Sequence, residues 1–315
     1  MAQSPAVVEL RLRGPAGEPI DLRRLFLSHG VASLPPMSVD EQRWVFEVTV
    51  GLPGRRPRTL RVEPGSPGHA KVTILGSLPD RKTAALAVGA IRQQFSLDRD
   101  LSGFYRLAER DPELSWAASG AGRMIRGSTV FEDVVKTICT TNCSWAATTR
   151  MVTALVEHLG ERADGAPATG WRGRAFPSAS AMASASDDFY RRVAGAGYRG
   201  PYLREVARRV AEDGLDLEAL AAGTLPEEQV TASLLSLPGV GPYAAAHIGL
   251  MLGRYSTLIL DSWTRPTYAR LLGRRSVSDR SIIKRFKRYG PYAGLAFWLF
   301  CTRDWVPELG PQART

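Results

Sequence analysis

The chain has 315 residues and a net charge of +10, from 41 basic and 31 acidic side chains. This length favours two domains, and the positive charge favours a polyanionic partner, nucleic acid before a membrane. The cysteines, Cys139, Cys143 and Cys301, lack paired spacing, which argues against a disulfide framework and for a reducing compartment. We see no signal peptide, no apolar run of membrane length and no zinc-ligand spacing, and we expect a cytoplasmic protein.

Residues 1–100 are predicted to form an antiparallel sheet that helices cover on one side. Four segments are rich in β-branched and aromatic residues or alternate in polarity, as strands do. Two other segments have helical character. The predicted strands are 7–12, 44–50, 59–62 and 71–75, and the predicted helices are 21–27 and 80–94.

Residues 101–315 are predicted to be helical and to form two subdomains. A strong amphipathic helix covers 130–138 and runs into the polar segment 139–145. The Gly-, Ala- and Arg-rich stretch 160–174 is predicted to be an exposed loop, and a last apolar helix begins near Gly290. The expected fold class is therefore α+β, mostly α.

The most informative stretch is 234–265, which centres on Pro238-Gly239-Val240-Gly241. Helical patterns run into it over 227–237 and out of it over 242–252. Glycine tolerates positive φ, so the two glycines allow a tight reversal, and the start of the second helix exposes N–H groups that attract a phosphate. Asp261 follows an apolar run, at a position typical of a helix N-cap.

This stretch resembles the hairpin and catalytic Asp of the helix–hairpin–helix (HhH-GPD) DNA glycosylases. In that family a Gly-rich hairpin grips one phosphate, and an Asp about eighteen residues later does the chemistry; Asp261 lies 18 residues after Tyr243. The resemblance implies a helical glycosylase core with an N-terminal TBP-like sheet domain, and a monomer that binds double-stranded DNA containing a damaged base. The alternative is a buried turn followed by an ordinary capping Asp.

The resemblance also implies further DNA contacts. Backbone amides of Gly239, Gly241 and Tyr243 match the phosphate-gripping positions. Asn142 matches a polar tip that enters the gap left by the flipped base, although an ordinary helix junction would look the same. Tyr198 and Arg199 match a wedge and a contact to the opposite base in the 8-oxoguanine branch, with a half-buried core tyrosine as the alternative for Tyr198.

Two expectations concern cofactors. Carbonyls of Leu235, Leu237 and Val240 match positions that hold a monovalent cation in relatives. Some members of the family carry an iron–sulfur cluster on four closely spaced cysteines, which three scattered cysteines cannot supply, so we expect no cluster.

The expected reaction is hydrolysis. A carboxylate below the sugar, here Asp261, stabilises oxocarbenium-like charge and can position or deprotonate water. Members that also cut the strand carry a Lys just inside the second hairpin helix, which forms a Schiff base. Tyr243 stands there in this chain, and a phenol cannot form an imine, so lyase activity by that route is not expected.

Four aromatic residues are candidate walls of the base pocket, Tyr243, Trp263, Phe297 and Trp298, and core packing is the alternative for at least two of them. Phe297 stands where the 8-oxoguanine branch has a base-reading Gln, and Trp263 where it has a His. Aromatic faces favour a cationic alkylated purine, such as 3-methyladenine, through cation–π attraction. An 8-oxoguanine-type enzyme and a non-enzymatic DNA-binding protein on the same scaffold stay open.

Overall fold

The computed structural model describes residues 6–306, and an antiparallel sheet forms their N-terminal part. Its five strands lie in the order β1-β5-β4-β3-β2. Successive strand residues alternate between the buried face and the solvent face, which explains the alternating sequence pattern. The strands are β1 (Ala6–Arg11), β2 (Met37–Asp40), β3 (Val45–Leu52), β4 (Arg55–Pro64) and β5 (His69–Ile74).

The remaining described chain is mostly helical, and the fold class is α+β, mostly α. Among residues 6–306, no helix is both long and apolar enough to span a bilayer. The helices are α1 (Leu22–Phe26), α2 (Arg81–Gln94), α3 (Ser102–Ala108), α4 (Val130–Thr140), α5 (Trp145–Leu159), α6 (Ala179–Ala183), α7 (Gly200–Ala211), α8 (Glu227–Leu235), α9 (Pro242–Met251), α10 (Thr264–Leu271), α11 (Asp279–Phe286) and α12 (Ala293–Thr302).

The sheet packs against α1 and α2 around its own hydrophobic core, which contains Phe26, Phe46 and Phe95. Helix α2 begins where predicted, because the Asp80 carboxylate accepts a hydrogen bond from the Thr83 amide at 2.7 Å. The sequence prediction missed β2, a four-residue edge strand that pairs with β3. The stretch 160–174 contains no helix, in agreement with the predicted loop.

Two further hydrophobic cores lie in the helical part of the chain. One gathers residues of α4, α5, α7, α8 and α9, and the other gathers residues of α3, α10, α11 and α12. Helix α9 contributes to both cores, and its residues from Ala244 to Met251 are buried on every side. A helix that is apolar all round belongs in the interior. Its N-terminal end therefore brings the predicted hairpin to the junction of the two helical cores.

Candidate active site and nucleic-acid interface

The predicted hairpin is the turn between α8 and α9. Gly239 has φ +78°, and a Cβ added there would lie 2.9 Å from Cδ2 of Tyr202, so only glycine fits. Gly241 differs from the prediction of positive φ, because its backbone is extended at φ −95°. No atom lies within 4 Å of where its Cβ would be, so its lack of a side chain leaves the hairpin surface open.

The hairpin presents backbone N–H groups at the start of α9. Pro242 occupies the first helical turn, and Gly241 offers no side chain to cap it. The amides of Gly239, Gly241 and Tyr243 find no acceptor among residues 6–306. Free N–H groups at a helix N-terminus, together with the helix dipole, form an anion site.

Asp261 lies at the start of α10 and is held by reciprocal hydrogen bonds. Its Oδ1 accepts from the amides of Trp263 at 2.8 Å and Thr264 at 2.6 Å. The Thr264 hydroxyl accepts from the Asp261 amide at 2.9 Å and donates to the Ile259 carbonyl at 2.7 Å. Within the described chain Oδ2 makes no hydrogen bond. The carboxylate is thus fixed through one oxygen, and the other stays available to a ligand.

The carboxylate faces the start of α9 and the end of α12. Burial raises the pKa of the Tyr243 phenol and the negative charge of Asp261 raises it further, whereas a hydrogen bond between the Tyr243 and Thr140 hydroxyls, 3.3 Å apart, lowers it. Burial also raises the pKa of Cys301 to about 12, again with a contribution from Asp261. Asp261, Tyr243 and Cys301 therefore share one electrostatic environment in which the phenol and thiol stay protonated at neutral pH.

An aromatic cluster lies beside Asp261 and consists of Tyr243, His247, Trp263, Trp298 and Trp305. The Trp263 ring centroid is 5.7 Å from that of Trp298 and 5.5 Å from that of Trp305. The His247 ring lies 5.7 Å from Trp298 and 6.0 Å from Tyr243. The structure thus brings together Tyr243, Trp263 and Trp298 of the predicted pocket walls.

Phe297 does not join this cluster, which corrects its assignment to the pocket. Its ring is fully buried, 5.3 Å from Phe286 and 5.8 Å from Tyr268, inside the core between α10, α11 and α12. The next residue on α12, Trp298, points to the cluster instead.

Asn142 lies in the predicted polar tip between α4 and α5, where its backbone adopts a left-handed φ of +48°. Its Nδ2 donates to the Tyr198 hydroxyl at 3.4 Å. Tyr198 is 54% exposed, and its ring lies 6.3 Å from that of Tyr202, which packs under Gly239. Asn142, Tyr198 and Tyr202 therefore form an exposed row that ends at the hairpin.

Arg199 was predicted to contact the base opposite the flipped one, but in the structure its side chain is buried. It is only 6% exposed, and its Nε donates to the Thr141 carbonyl at 3.0 Å, with a second bond from Nη2. Its Cζ lies 4.5 Å from the centre of the Tyr198 ring. Arg199 thus supports the exposed row from beneath.

Sequence reasoning gave no role to Tyr202, His247, Trp305 or Trp145. Trp145 is 47% exposed at the start of α5, and its ring packs on Gly30, where an added Cβ would lie 3.2 Å from Cη2. In the sequence, the only sign of a role for Trp145 was that a large aromatic residue ends the polar segment 139–145.

The residues expected to hold a cation lie at the end of α8, which is Leu235, and in the turn that follows it, which contains Leu237 and Val240. The carbonyls of Leu235 and Val240 accept no hydrogen bond from the described residues, whereas the Leu237 carbonyl accepts one from the Val240 amide at 3.2 Å. Within the same residues, no group of three or more His, Cys, Asp or Glu side chains could hold a metal ion.

Helices α8 and α9, joined by the glycine turn and followed by an aspartate that caps α10, define a helix–hairpin–helix architecture next to an antiparallel sheet domain.

Two curated relatives are similar in sequence. A probable N-glycosylase/DNA lyase of Methanothermobacter thermautotrophicus is 28% identical over 225 residues, which are 63% of this chain and 69% of the relative. An N-glycosylase/DNA lyase of Arabidopsis thaliana is 28% identical over 76% of this chain, and the match spans 66% of that relative, just under two thirds. No protein-family model matches the sequence.

Solved structures share the fold over nearly the whole chain. A 3-methyladenine DNA glycosylase from Archaeoglobus fulgidus has a TM-score of 0.71 at 19% identity, covering 95% of this chain and 100% of that one. An 8-oxoguanine glycosylase/lyase of Clostridium acetobutylicum, in complex with double-stranded DNA, has a TM-score of 0.69 at 18% identity, covering 96% of each chain. The chain is thus similar in sequence to two proteins named as N-glycosylase/DNA lyases, and it shares the fold of these solved glycosylase structures.

Proposed function

We propose that this protein is a monofunctional DNA glycosylase that hydrolyses the N-glycosidic bond of a damaged base swung out of double-stranded DNA. The observation that carries the proposal is the position of Asp261, which binds the backbone of Trp263 in the aromatic cluster and whose charge raises the pKa of Tyr243 at the start of α9. In this arrangement the hairpin binds a backbone phosphate, the cluster receives the base, and the carboxylate lies below the sugar.

Asp261 stabilises the positive charge that develops on the sugar as the bond breaks. Its backbone hydrogen bonds through Oδ1 fix the carboxylate before the substrate arrives, so little reorganisation accompanies the reaction. The free Oδ2 positions or deprotonates the attacking water.

Hydrolysis without strand cleavage is supported by the surroundings of Tyr243 and of Lys136. Tyr243 has no amine with which to form a Schiff base, and its phenol stays protonated at neutral pH. Lys136, the lysine of α4, is fully buried, lies 2.7 Å from Glu132 and donates to the Leu34 carbonyl. The names of both curated relatives include DNA lyase; this chain is proposed to differ from them in that activity.

The proposed substrate is an alkylated purine such as 3-methyladenine. Trp263 is 38% exposed beside the carboxylate, and the buried Trp298 packs against it at 5.7 Å. Aromatic faces attract a cationic base. A ring-alkylated purine is also a good leaving group without a general acid.

An 8-oxoguanine-type specificity is the second candidate. It is favoured by the place of Asn142 at the exposed tip, by the contact of Tyr198 with it, and by the fold shared with a glycosylase/lyase of that specificity. Non-enzymatic DNA binding is the third candidate. It does not require the Asp261 carboxylate, whereas both enzymatic candidates do.

We further propose that a monovalent cation binds the hairpin through backbone oxygens. The carbonyls of Leu235 and Val240 are free to act as ligands, and oxygen atoms are the ligands that hard cations prefer. Such a cation would hold the hairpin rigid for the phosphate. Cytoplasmic location and action as a monomer are part of the same proposal.

The test is a panel of duplexes that each carry one damaged base, with release of free base measured separately from strand cleavage. Release of an alkylated purine without cleavage is the expected result. Fast release of 8-oxoguanine alone would favour the second candidate, and cleavage coupled to release would contradict the monofunctional mechanism.

The matched variants are Asp261→Asn and Asp21→Asn. Asp21 caps α1 in the same way, since its Oδ1 accepts the Arg23 and Arg24 amides at 2.9 and 3.2 Å. Asp261→Asn should abolish base release while duplex affinity is kept, and Asp21→Asn should keep both. Undiminished release by Asp261→Asn would remove this carboxylate from the reaction.

A further inference from the structure

Two buried histidines meet at the aromatic cluster, one of them a member of it, and neither has an individual role in the mechanism above. His29 follows α1 in the sheet domain and His247 belongs to α9, and their ring centroids are 5.6 Å apart at an angle of 88°. They are 3% and 5% exposed. The sheet domain thus contacts α9 at the aromatic cluster.

His29 is fixed in one tautomer by the backbone. Its Nε2 lies 2.6 Å from the Ile125 carbonyl, which can only accept, so Nε2 carries the proton. Burial lowers the pKa of His29 to about 3, with a further effect of His247, so the ring is neutral and its Nδ1 is an acceptor. In the described chain, Nδ1 has no hydrogen-bond partner.

His247 is the more unusual of the two. Neither Nδ1 nor Nε2 finds a hydrogen-bond partner among residues 6–306, although the ring is almost entirely buried. Burial alone lowers its pKa to about 4. A buried polar group without a partner is costly, and native proteins rarely keep one that serves no purpose.

The position of His247 points to the purpose. It lies one helical turn after Tyr243, on the same face of α9, and its ring packs edge-on against Trp298, which contacts Trp263 beside Asp261. These are the groups that surround the proposed base pocket, and His247 contributes the polar ring among them.

We propose that His247 contacts the extruded base and determines specificity: its unpartnered ring nitrogens hydrogen-bond to the edge of the base, while His29 packs behind it and sets the orientation of its ring. The inference rests on the proposed glycosylase function. A neutral imidazole offers one donor and one acceptor, so it can distinguish bases by their edges while tolerating a cationic purine. Aromatic faces alone would accept any flat base, and His247 supplies the directional contact.

The experiment compares the wild type with His247→Phe, His247→Gln and His158→Gln. His158 is an exposed histidine on α5 and serves as the control. The substrate is duplex DNA treated with a methylating agent, which carries 3-methyladenine and 7-methylguanine together. The readouts are the single-turnover release rate of each base, their ratio, duplex affinity and thermal stability.

Phe fills the ring space but cannot hydrogen-bond, and within residues 6–306 no hydrogen bond is lost with the imidazole. His247→Phe should therefore keep or raise the melting temperature and keep duplex affinity, while release of the preferred base falls about tenfold or more and the ratio of the two bases changes. His247→Gln should retain more of the preference, and His158→Gln should match the wild type.

Two outcomes would overturn the inference. One is unchanged rates and ratio in His247→Phe. The other is an equal loss for both bases that follows a lowered melting temperature, which would indicate a structural role. If the wild type releases no base from any duplex, the proposed function itself fails; if it does and His247→Phe behaves identically, only the role of His247 fails.

Discussion

Arg199 connects two residues of the exposed row without facing the solvent. Its guanidinium holds the Thr141 carbonyl, which directly precedes Asn142, and lies against the Tyr198 ring. A charge-assisted hydrogen bond contributes about 1.5–3 kcal/mol and a cation–π contact about 0.5–1 kcal/mol. The side chain thus restricts both the polar tip and the exposed tyrosine before DNA binds.

The residue-scale prediction compares Arg199→Met with Arg204→Met. Arg204 lies on α7, is exposed and pairs with Asp187 at 2.8 Å, so both variants remove one positive charge. Arg199→Met should weaken binding to a duplex with an abasic-site analogue by roughly tenfold more than Arg204→Met. Fluorescence anisotropy at fixed salt measures this, and equal losses would show that only net charge matters.

At the scale of elements, the two hairpin glycines should respond in opposite ways. Gly239→Ala places a side chain at φ +78° and against Tyr202, so we expect a loss of roughly 1–2 kcal/mol in the free energy of unfolding. Gly241→Ala meets no atom within 4 Å at φ −95°, so stability should be unchanged or slightly higher.

The affinity for duplex DNA gives a second test of the Gly241→Ala variant, independent of its stability. In Gly241→Ala the new methyl group lies beside the free amides of α9, where the phosphate would approach, so affinity should fall without loss of stability. Denaturant unfolding and anisotropy on the same samples provide both numbers. Wild-type affinity in Gly241→Ala would contradict phosphate binding at this turn.

The same elements show what sequence can supply. Local sequence features identified α8, α9 and the aspartate that caps α10. These features were the glycine turn, the starts of the helices and the spacing of 18 residues from Tyr243 to Asp261. The side of α12 that faces the site was not readable, because its residues from Ala293 to Thr302 are all buried and leave no polar face. Phe297 was therefore assigned to the pocket together with Trp298, although only Trp298 lies in the aromatic cluster. His247 was hidden in α9 for the same reason.

Contacts between distant parts of the chain could not be predicted from the sequence either. The burial of Arg199 depends on Thr141, 58 residues away, and the place of His29 depends on the packing of the sheet domain against α9. Strand β2 was missed because four residues at a sheet edge carry too little alternation to be recognised.

At the scale of the whole molecule, buried titratable groups link stability to pH. The pKa values of His29 and His247 fall from 6.5 to about 3 and about 4 through burial. The unfolded chain therefore binds more protons than the folded chain below pH 6.5, and the free energy of unfolding falls as the pH falls. Asp133 acts the other way: burial raises its pKa to about 7, so its contribution to stability is lost as the pH rises toward 7.

The contribution of His247 to this pH dependence can be measured by itself. His247→Phe removes an imidazole that must stay neutral in the folded state, so its stability relative to the wild type should increase as the pH falls from 6.5 to 4. The increase should be on the order of 3 kcal/mol, from the size of the pKa shift. Denaturant unfolding at several pH values measures the difference, with His158→Phe as the exposed control whose curve should run parallel to the wild type. A constant difference between His247→Phe and the wild type would mean that His247 does not stay neutral and buried in the folded protein.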